Sequence, residues 1–226
     1  MRIRCGVVAA LLAAAACGET TGPDLQLDSA VRVVHAAPET PRLDVILQGE
    51  TRAQLEYAEV SEYFTVGAGA RELQLNAAGS TTPLIEVDTT FAMDAHYTVL
   101  AAGRAGSIQP IILEDDPTPA DTGQARIRLV HAAPTAGAVD IYVTEPGIEL
   151  TSSTPTLTNV DFGATSDYMV LDARTWRVRV TVAGTQTILI DLPLLVLSST
   201  RVFTVVMMDT MGSGPPHGLI VLSDRG

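Results

Sequence analysis

Two histidines are each followed, nine residues later, by an aspartate: His35 with Asp44, and His131 with Asp140. An imidazole and a carboxylate at fixed spacing are the parts of a general-base pair or of half a metal site. A metal would need a third and a fourth ligand. The other reading is architectural. The imidazole caps the turn after a strand, and the aspartate takes its hydrogen bond from across the strand, because buried polar groups need partners. Recurrence favours this reading, since folding needs repeat in every copy of a unit and an active site need not.

Other residues invite chemistry. Glu114, Asp115, Asp116 and Asp121 cluster in sequence and could hold Ca²⁺, although their spacing matches no EF-hand loop. Arg126 with Arg128, and Arg177 with Arg179, each share a strand face and could dock an acidic glycan or protein. The default for such arginines is a solvated strand face. Tyr57, Tyr63, Phe162 and Tyr168 could stack on sugars, though core packing is the simpler role. Motifs of established enzymes are absent: there is no Gly-x-Ser-x-Gly, His-Glu-x-x-His or Cys-x-x-Cys. All 14 basic residues are arginine, which removes Schiff-base lysines and P-loop phosphate binding. A net charge of -12 argues against nucleic acid and anionic lipid surfaces. No cofactor is implied.

These residues sit in an exported chain. Arg2 and Arg4 precede an apolar run from Cys5 to Ala16, too short to span a bilayer, so residues 1–16 read as a signal peptide. Ala14-Ala15-Ala16 leads into Cys17, as in a bacterial lipobox, with Ala14 where Leu is usual. Lipidation of Cys17 would anchor the chain to a membrane. Ordinary signal peptidase cleavage, giving a secreted or periplasmic protein, is the alternative. Gly18 after the Cys lacks the Asp that retains some lipoproteins at the inner membrane, which favours the outer one. Residues 17–27 form a tether. Without Cys5 no cysteine pair remains, so hydrophobic cores must supply the stability.

An internal repeat organises the rest. Val31–Pro38 matches Ile127–Pro134 at an offset of 96, with Asp44-Val45 matching Asp140-Ile141. Tyr57-Ala58 meets Phe162-Gly163, Tyr63 meets Tyr168, and Ile111–Leu113 meets Ile220–Leu222. The second copy carries nine extra residues within Glu145–Thr156. Copy one spans 28–116, a breaker-rich linker 117–124, and copy two 125–226. The linker predicts a semi-stiff spacer rather than a long flexible arm. Copy one holds 14 acidic residues against five Arg, and copy two nine against seven. Trp176–Val182 alternates apolar and polar residues, the mark of a half-buried strand. Arg32–Val34, Leu43–Leu47, Leu73–Leu75, Tyr97–Leu100 and Ile111–Leu113 supply further strands. Ile188–Leu197 is apolar but interrupted by Asp191 and Pro193. The fold class expected is all-β: two tandem immunoglobulin-like antiparallel β-sandwich domains after the signal peptide.

At His35–Pro38 with Asp44-Val45, and His131–Pro134 with Asp140-Ile141, the chain resembles the bacterial domain-of-unknown-function family 4397. The resemblance extends to Phe162, Gly163, Ser166 and Tyr168, with Ala58 at the Gly position of copy one. It implies a secreted or lipid-anchored protein with tandem domains, and no established activity. The function expected is a non-enzymatic envelope module, binding an envelope protein or glycan or acting as a spacer. The alternative is a carbohydrate-active enzyme or accessory domain using acidic residues of copy one.

Overall fold

The computed structural model describes residues 28–212 and 217–224. The signal peptide, Cys17 and the tether lie outside the described residues. The first half contains β1 (Asp28–Ala36), β2 (Leu43–Leu47), β3 (Glu50–Leu55), β4 (Phe64–Gly67), β5 (Gly69–Ala77), β6 (Pro83–Phe91), β7 (His96–Arg104) and β8 (Ser107–Asp115). The second contains β9 (Gln124–Ala132), β10 (Val139–Thr144), β11 (Leu157–Val160), β12 (Met169–Asp172), β13 (Thr175–Val182), β14 (Ile188–Val196), β15 (Val202–Met208) and β16 (Gly218–Ser223).

Each half is a sandwich of two four-stranded sheets. The outer sheets run β3-β2-β5-β6 and β11-β10-β13-β14; the inner sheets run β4-β1-β7-β8 and β12-β9-β15-β16. The strand order is the same in both halves. Pairing is antiparallel except once per inner sheet, where β1 runs parallel to β7 and β9 parallel to β15. The all-β sandwich expected from the sequence is seen, with one parallel pair per half added to its antiparallel pairing. The chain leaves the inner sheet after β1, contributes to both sheets on the way, and re-enters in the same direction. A parallel pair needs such a long crossover.

The inner sheets are buried on both faces. Along β1, Val31 and Val33 enter the core of the first sandwich with Leu43, Leu73, Leu75 and Val99. Val34 and Ala36, on the opposite face, enter a different core. They pack there with Leu100, Ala102, Ile111 and Leu113 from the first half and Val130, Ala132, Val206, Met208 and Leu222 from the second. A third cluster, with Ile127, Ile141, Val178 and Val205, fills the second sandwich. The halves therefore stack inner sheet on inner sheet, giving four layers and three apolar cores. The short linker joins two sandwiches that pack against each other. Runs such as Val-Arg-Val-Val-His-Ala-Ala lack strict alternation because both faces of the strand are covered.

Two local features follow from residue type. Ala58 and Gly163, at matched positions, both have positive φ (68° and 85°), so Ala58 holds a left-handed conformation that glycine would adopt without steric cost. Pro193 is accommodated because β14 is an edge strand and its register with β13 shifts between Trp176 and Val178.

Candidate functional site

The repeated histidines lie at the C-terminal ends of β1 and β9, and both are fully buried. His35 Nε2 donates to the Pro41 carbonyl (3.3 Å) and Nδ1 accepts from the Ala37 N–H (3.4 Å). His131 repeats this with Gly137 (2.8 Å) and Ala133 (3.2 Å). Each imidazole thus closes the turn that follows its strand, with its edge against an aromatic ring: Tyr57 in one half, Phe162 in the other. Both nitrogens are occupied by backbone, which leaves none for a metal or a substrate proton. Pro38 and Pro134 stand inside those turns. Burial is the first cause holding both histidines below their ordinary pKa.

The aspartates do not receive the histidine proton, contrary to the cross-strand bond expected. Asp44 accepts from Gln54 Nε2 (2.8 Å) and the Gly79 N–H (3.0 Å). Asp140 accepts from the Asn159 N–H and the Gly184 N–H, both at 2.8 Å. Each carboxylate ties the adjacent edge strand of its outer sheet to a hairpin turn on its other side. The difference is one of faces: His35 points to the sandwich core, whereas Asp44 leaves its sheet on the far side.

The densest polar constellation lies on the seam between the halves, and it is reciprocal. Arg32 of the first half pairs with Asp224 of the second, and Arg128 of the second pairs with Asp115 of the first. All four side chains are buried. Arg32 Nε donates to Thr98 Oγ1 (2.8 Å) and Nη1 to the Ser223 carbonyl (2.7 Å). Arg128 does the same with Thr204 (2.7 Å) and the Glu114 carbonyl (2.8 Å). Thr98 and Tyr63 both donate to Asp115 at 2.6 Å; Thr204 (2.6 Å) and Tyr168 (2.7 Å) donate to Asp224. The guanidiniums lie 4.7 Å from the Tyr63 centroid and 4.8 Å from that of Tyr168. Burial first, and then the neighbouring carboxylate, push both phenols above their ordinary pKa. Tyr63 and Tyr168 therefore remain donors.

This arrangement corrects several expectations. Asp115 is committed to Arg128, and Asp116 to Arg126 (2.6 Å) and the Thr118 N–H (2.9 Å). Those hydrogen bonds, from Arg126 first, hold Asp116 well below the usual carboxylate range. Glu114 and Asp121 do not converge with them. The one group of three acidic or metal-ligating side chains among the described residues is Glu72, Glu86 and Asp88, all exposed on the outer sheet of the first half. The Ca²⁺ cluster at the junction is thus replaced by ion pairs. The arginine patch is dispersed as well: Arg128 is in the seam, Arg126 stacks on Tyr168, and Arg179 is buried. Arg177 is partly exposed, and Asp191 takes it bidentately (2.8 and 2.5 Å). No shared platform of aromatic rings faces solvent, because each is engaged: Tyr57 and Phe162 by histidines, Tyr63 by Arg32 and His96, Tyr168 by two arginines.

Arg32, Thr98, Thr204 and Asp224 were not among the sequence candidates. A signal existed: Arg32 matches Arg128 in the repeat, and Asp115 and Asp224 each stand two residues past the matched Ile-x-Leu strands. Open surface is found elsewhere. A groove of about 470 Å³ runs along β3, lined by Arg52, Gln54, Glu59, Glu62 and Tyr63. Another of about 470 Å³ is lined by Arg71, Glu72, Asp88 and Thr90.

Comparison with known proteins gives one family and a remote likeness of form. The family described as "Domain of unknown function (DUF4397)" matches residues 29–142, the whole first half and on into β10. No curated protein sequence matches. Among solved structures, a family 26 carbohydrate-binding module from Eubacterium rectale Amy13K, in complex with maltoheptaose, is 12% identical. The alignment covers 86% of this chain and 96% of that one, with a TM-score of 0.28. A leucine-rich repeat protein from Bacteroides thetaiotaomicron VPI-5482 is also 12% identical, over 82% of this chain and 27% of that one, with a TM-score of 0.21. Likenesses this remote assign no ligand to the chain.

Two outcomes follow from the site. Asp115→Ala leaves the Arg128 charge buried and unpaired, and lowers stability by about 3–5 kcal/mol in urea unfolding; adding Arg128→Met restores most of it. The histidines fix a pH dependence. Their folded pKa values lie below the ordinary 6.5, so the unfolded chain takes up protons first as pH falls. Their contribution is fully present well above pH 6.5 and is progressively lost as pH falls through 6.5 towards the lower folded-state pKa values. Urea titrations at pH 7.5 and 5.5 read the difference, and His131→Gln reduces it.

Proposed function

The chain belongs to the DUF4397 family, and from that premise we propose that it is a non-enzymatic lipoprotein of the bacterial cell envelope, a rigid binding or spacer module. Residues 125–226 are a second copy of the family domain, a reading supported by the repeated strand order and the matched His131, Asp140 and Tyr168. Cys17 carries the lipid, residues 17–27 are the tether, and Gly18 favours the outer membrane. The observation that carries the reading is the reciprocal Arg32–Asp224 and Arg128–Asp115 lock. It joins two sandwiches into one body that holds its outer faces and grooves at a fixed separation, which is what a spacer or a presenting scaffold requires. The partner is an envelope protein or a glycan.

One observation favours a second reading, a carbohydrate-active enzyme or accessory domain. Glu72, Glu86 and Asp88 bring carboxylate oxygens within 4.8 Å of one another, and Glu72 and Asp88 border an open groove. Glycosidases need a carboxylate pair at close separation. These three are exposed, however, and the Gln74 amide already donates to Glu72.

The anchoring is tested by Cys17→Ala in a bacterial host fed radiolabelled palmitate. Loss of label and release of the chain from the membrane fraction is the outcome expected. Unchanged labelling would remove the lipoprotein from the account.

A further inference from the structure

We propose that Arg179 is the receptor of a compact oxyanion ligand, a carboxylate, sulfate or phosphate, seated with Thr181. Arg179 and Thr181 lie on the outward face of β13, where an outer sheet normally meets water, yet they are 2% and 0% exposed. A guanidinium stays charged at any accessible pH. Arg179 makes one hydrogen bond among the described residues, from Nη2 to Thr144 Oγ1 (3.0 Å), and no ion pair. Its Nε and the Thr181 hydroxyl have no partner. The carboxylate in register with it, Asp191, is taken on both oxygens by Arg177. Two guanidiniums thus face one carboxylate, and the buried one acts on it only at longer range, with no ion pair of its own.

The repeat shows that the fold does not require this charge. In register, Asp44 opposes Asn76 and Asp140 opposes Thr181, so Gln74 occupies in the first half the place of Arg179. The same outer sheet therefore forms around a neutral side chain. The long connection that leaves β10 next to Thr144, the hydrogen-bond partner of Arg179, is also an addition. The 145–156 segment has no counterpart in the first half, where a tight Gln48-Gly49 turn joins β2 to β3. It is pinned to β10 by the Thr156 N–H to the Ile141 carbonyl (2.7 Å), it buries Leu150, and Glu149 acts on Arg177. A buried arginine and a long β10–β11 connection occur together in one half and are both missing from the other. A guanidinium edge with a free N–H, next to a free hydroxyl, matches a planar or tetrahedral oxyanion.

This deepens the binding half of the function proposed above, and its test uses neither envelope polymers nor the lipid anchor. Thermal unfolding of the full chain is followed in sodium sulfate, phosphate and glucuronate, against sodium chloride at matched ionic strength. The expected result is a saturable rise in Tm with at least one of the three that chloride does not give, since a ligand of the folded state alone stabilises it. Arg179→Gln folds, melts no lower than the wild type in chloride, and loses the rise. Thr181→Val keeps the charge and weakens the response severalfold. Responses to several of the anions mark a general oxyanion site, whereas a response to glucuronate alone marks a carboxylate-sugar site. Three flat titrations of the wild type, an undiminished rise in Arg179→Gln, or failure of that variant to fold would each overturn the proposal. The spacer reading would survive any of these.

Discussion

The architecture depends on a crossed exchange of charge. Each half carries an arginine in its inner sheet and an aspartate at the end of its last strand, and each arginine is answered by the other half's aspartate. Buried charges are tolerated only when paired and hydrogen-bonded. Here threonine and tyrosine hydroxyls complete the carboxylates, and backbone carbonyls complete the guanidiniums. Neither half can satisfy its own inner face. Val34, Leu100 and Leu113 would be open to water without Val130, Val206 and Leu222. The polar lock fixes which faces meet and in what register, while the apolar seam provides the driving force.

The repeat itself and the strands were legible in the sequence, because the duplicated motif is long and the outer strands alternate cleanly. The His-Ala-Ala-Pro turns were legible as turns. The roles of Asp44 and Asp140 were not, since sequence spacing does not show that histidine and aspartate leave their strands on opposite sides. The seam was missed for a related reason. Arg126 and Arg128 alternate with apolar residues as a solvated face would, and only a second sheet packed on that face distinguishes burial from exposure. Asp115 looked like part of a linker cluster, yet it closes a strand and faces inward. The parallel pairing of β1 with β7 was hidden because strand direction within a sheet is a property of the whole crossover.

Comparing the halves separates what the fold needs from what was added. The imidazole caps, the outer-sheet aspartates, and the arginine, threonine, tyrosine and aspartate of the seam occur in both halves. Arg179, Thr181 and the 145–156 segment occur in one. Recurrent polar groups here hold backbone or the partner half, which is why the residues most suggestive of catalysis serve the fold. Function in such a chain is to be sought in what does not repeat, and on the grooves and faces left open by the stack.

The lock between the halves is tested most directly by cutting the chain between them. A protease site placed at residues 118–122 lets the full-length protein fold and then be nicked. If the seam holds as described, the two fragments remain a 1:1 complex on gel filtration and in native mass spectrometry, and separate only when Arg32 and Arg128 are replaced by Met or when urea unfolds them. Fragments that part on cleavage as two folded monomers would contradict it, and would make the chain two independent sandwiches on a spacer.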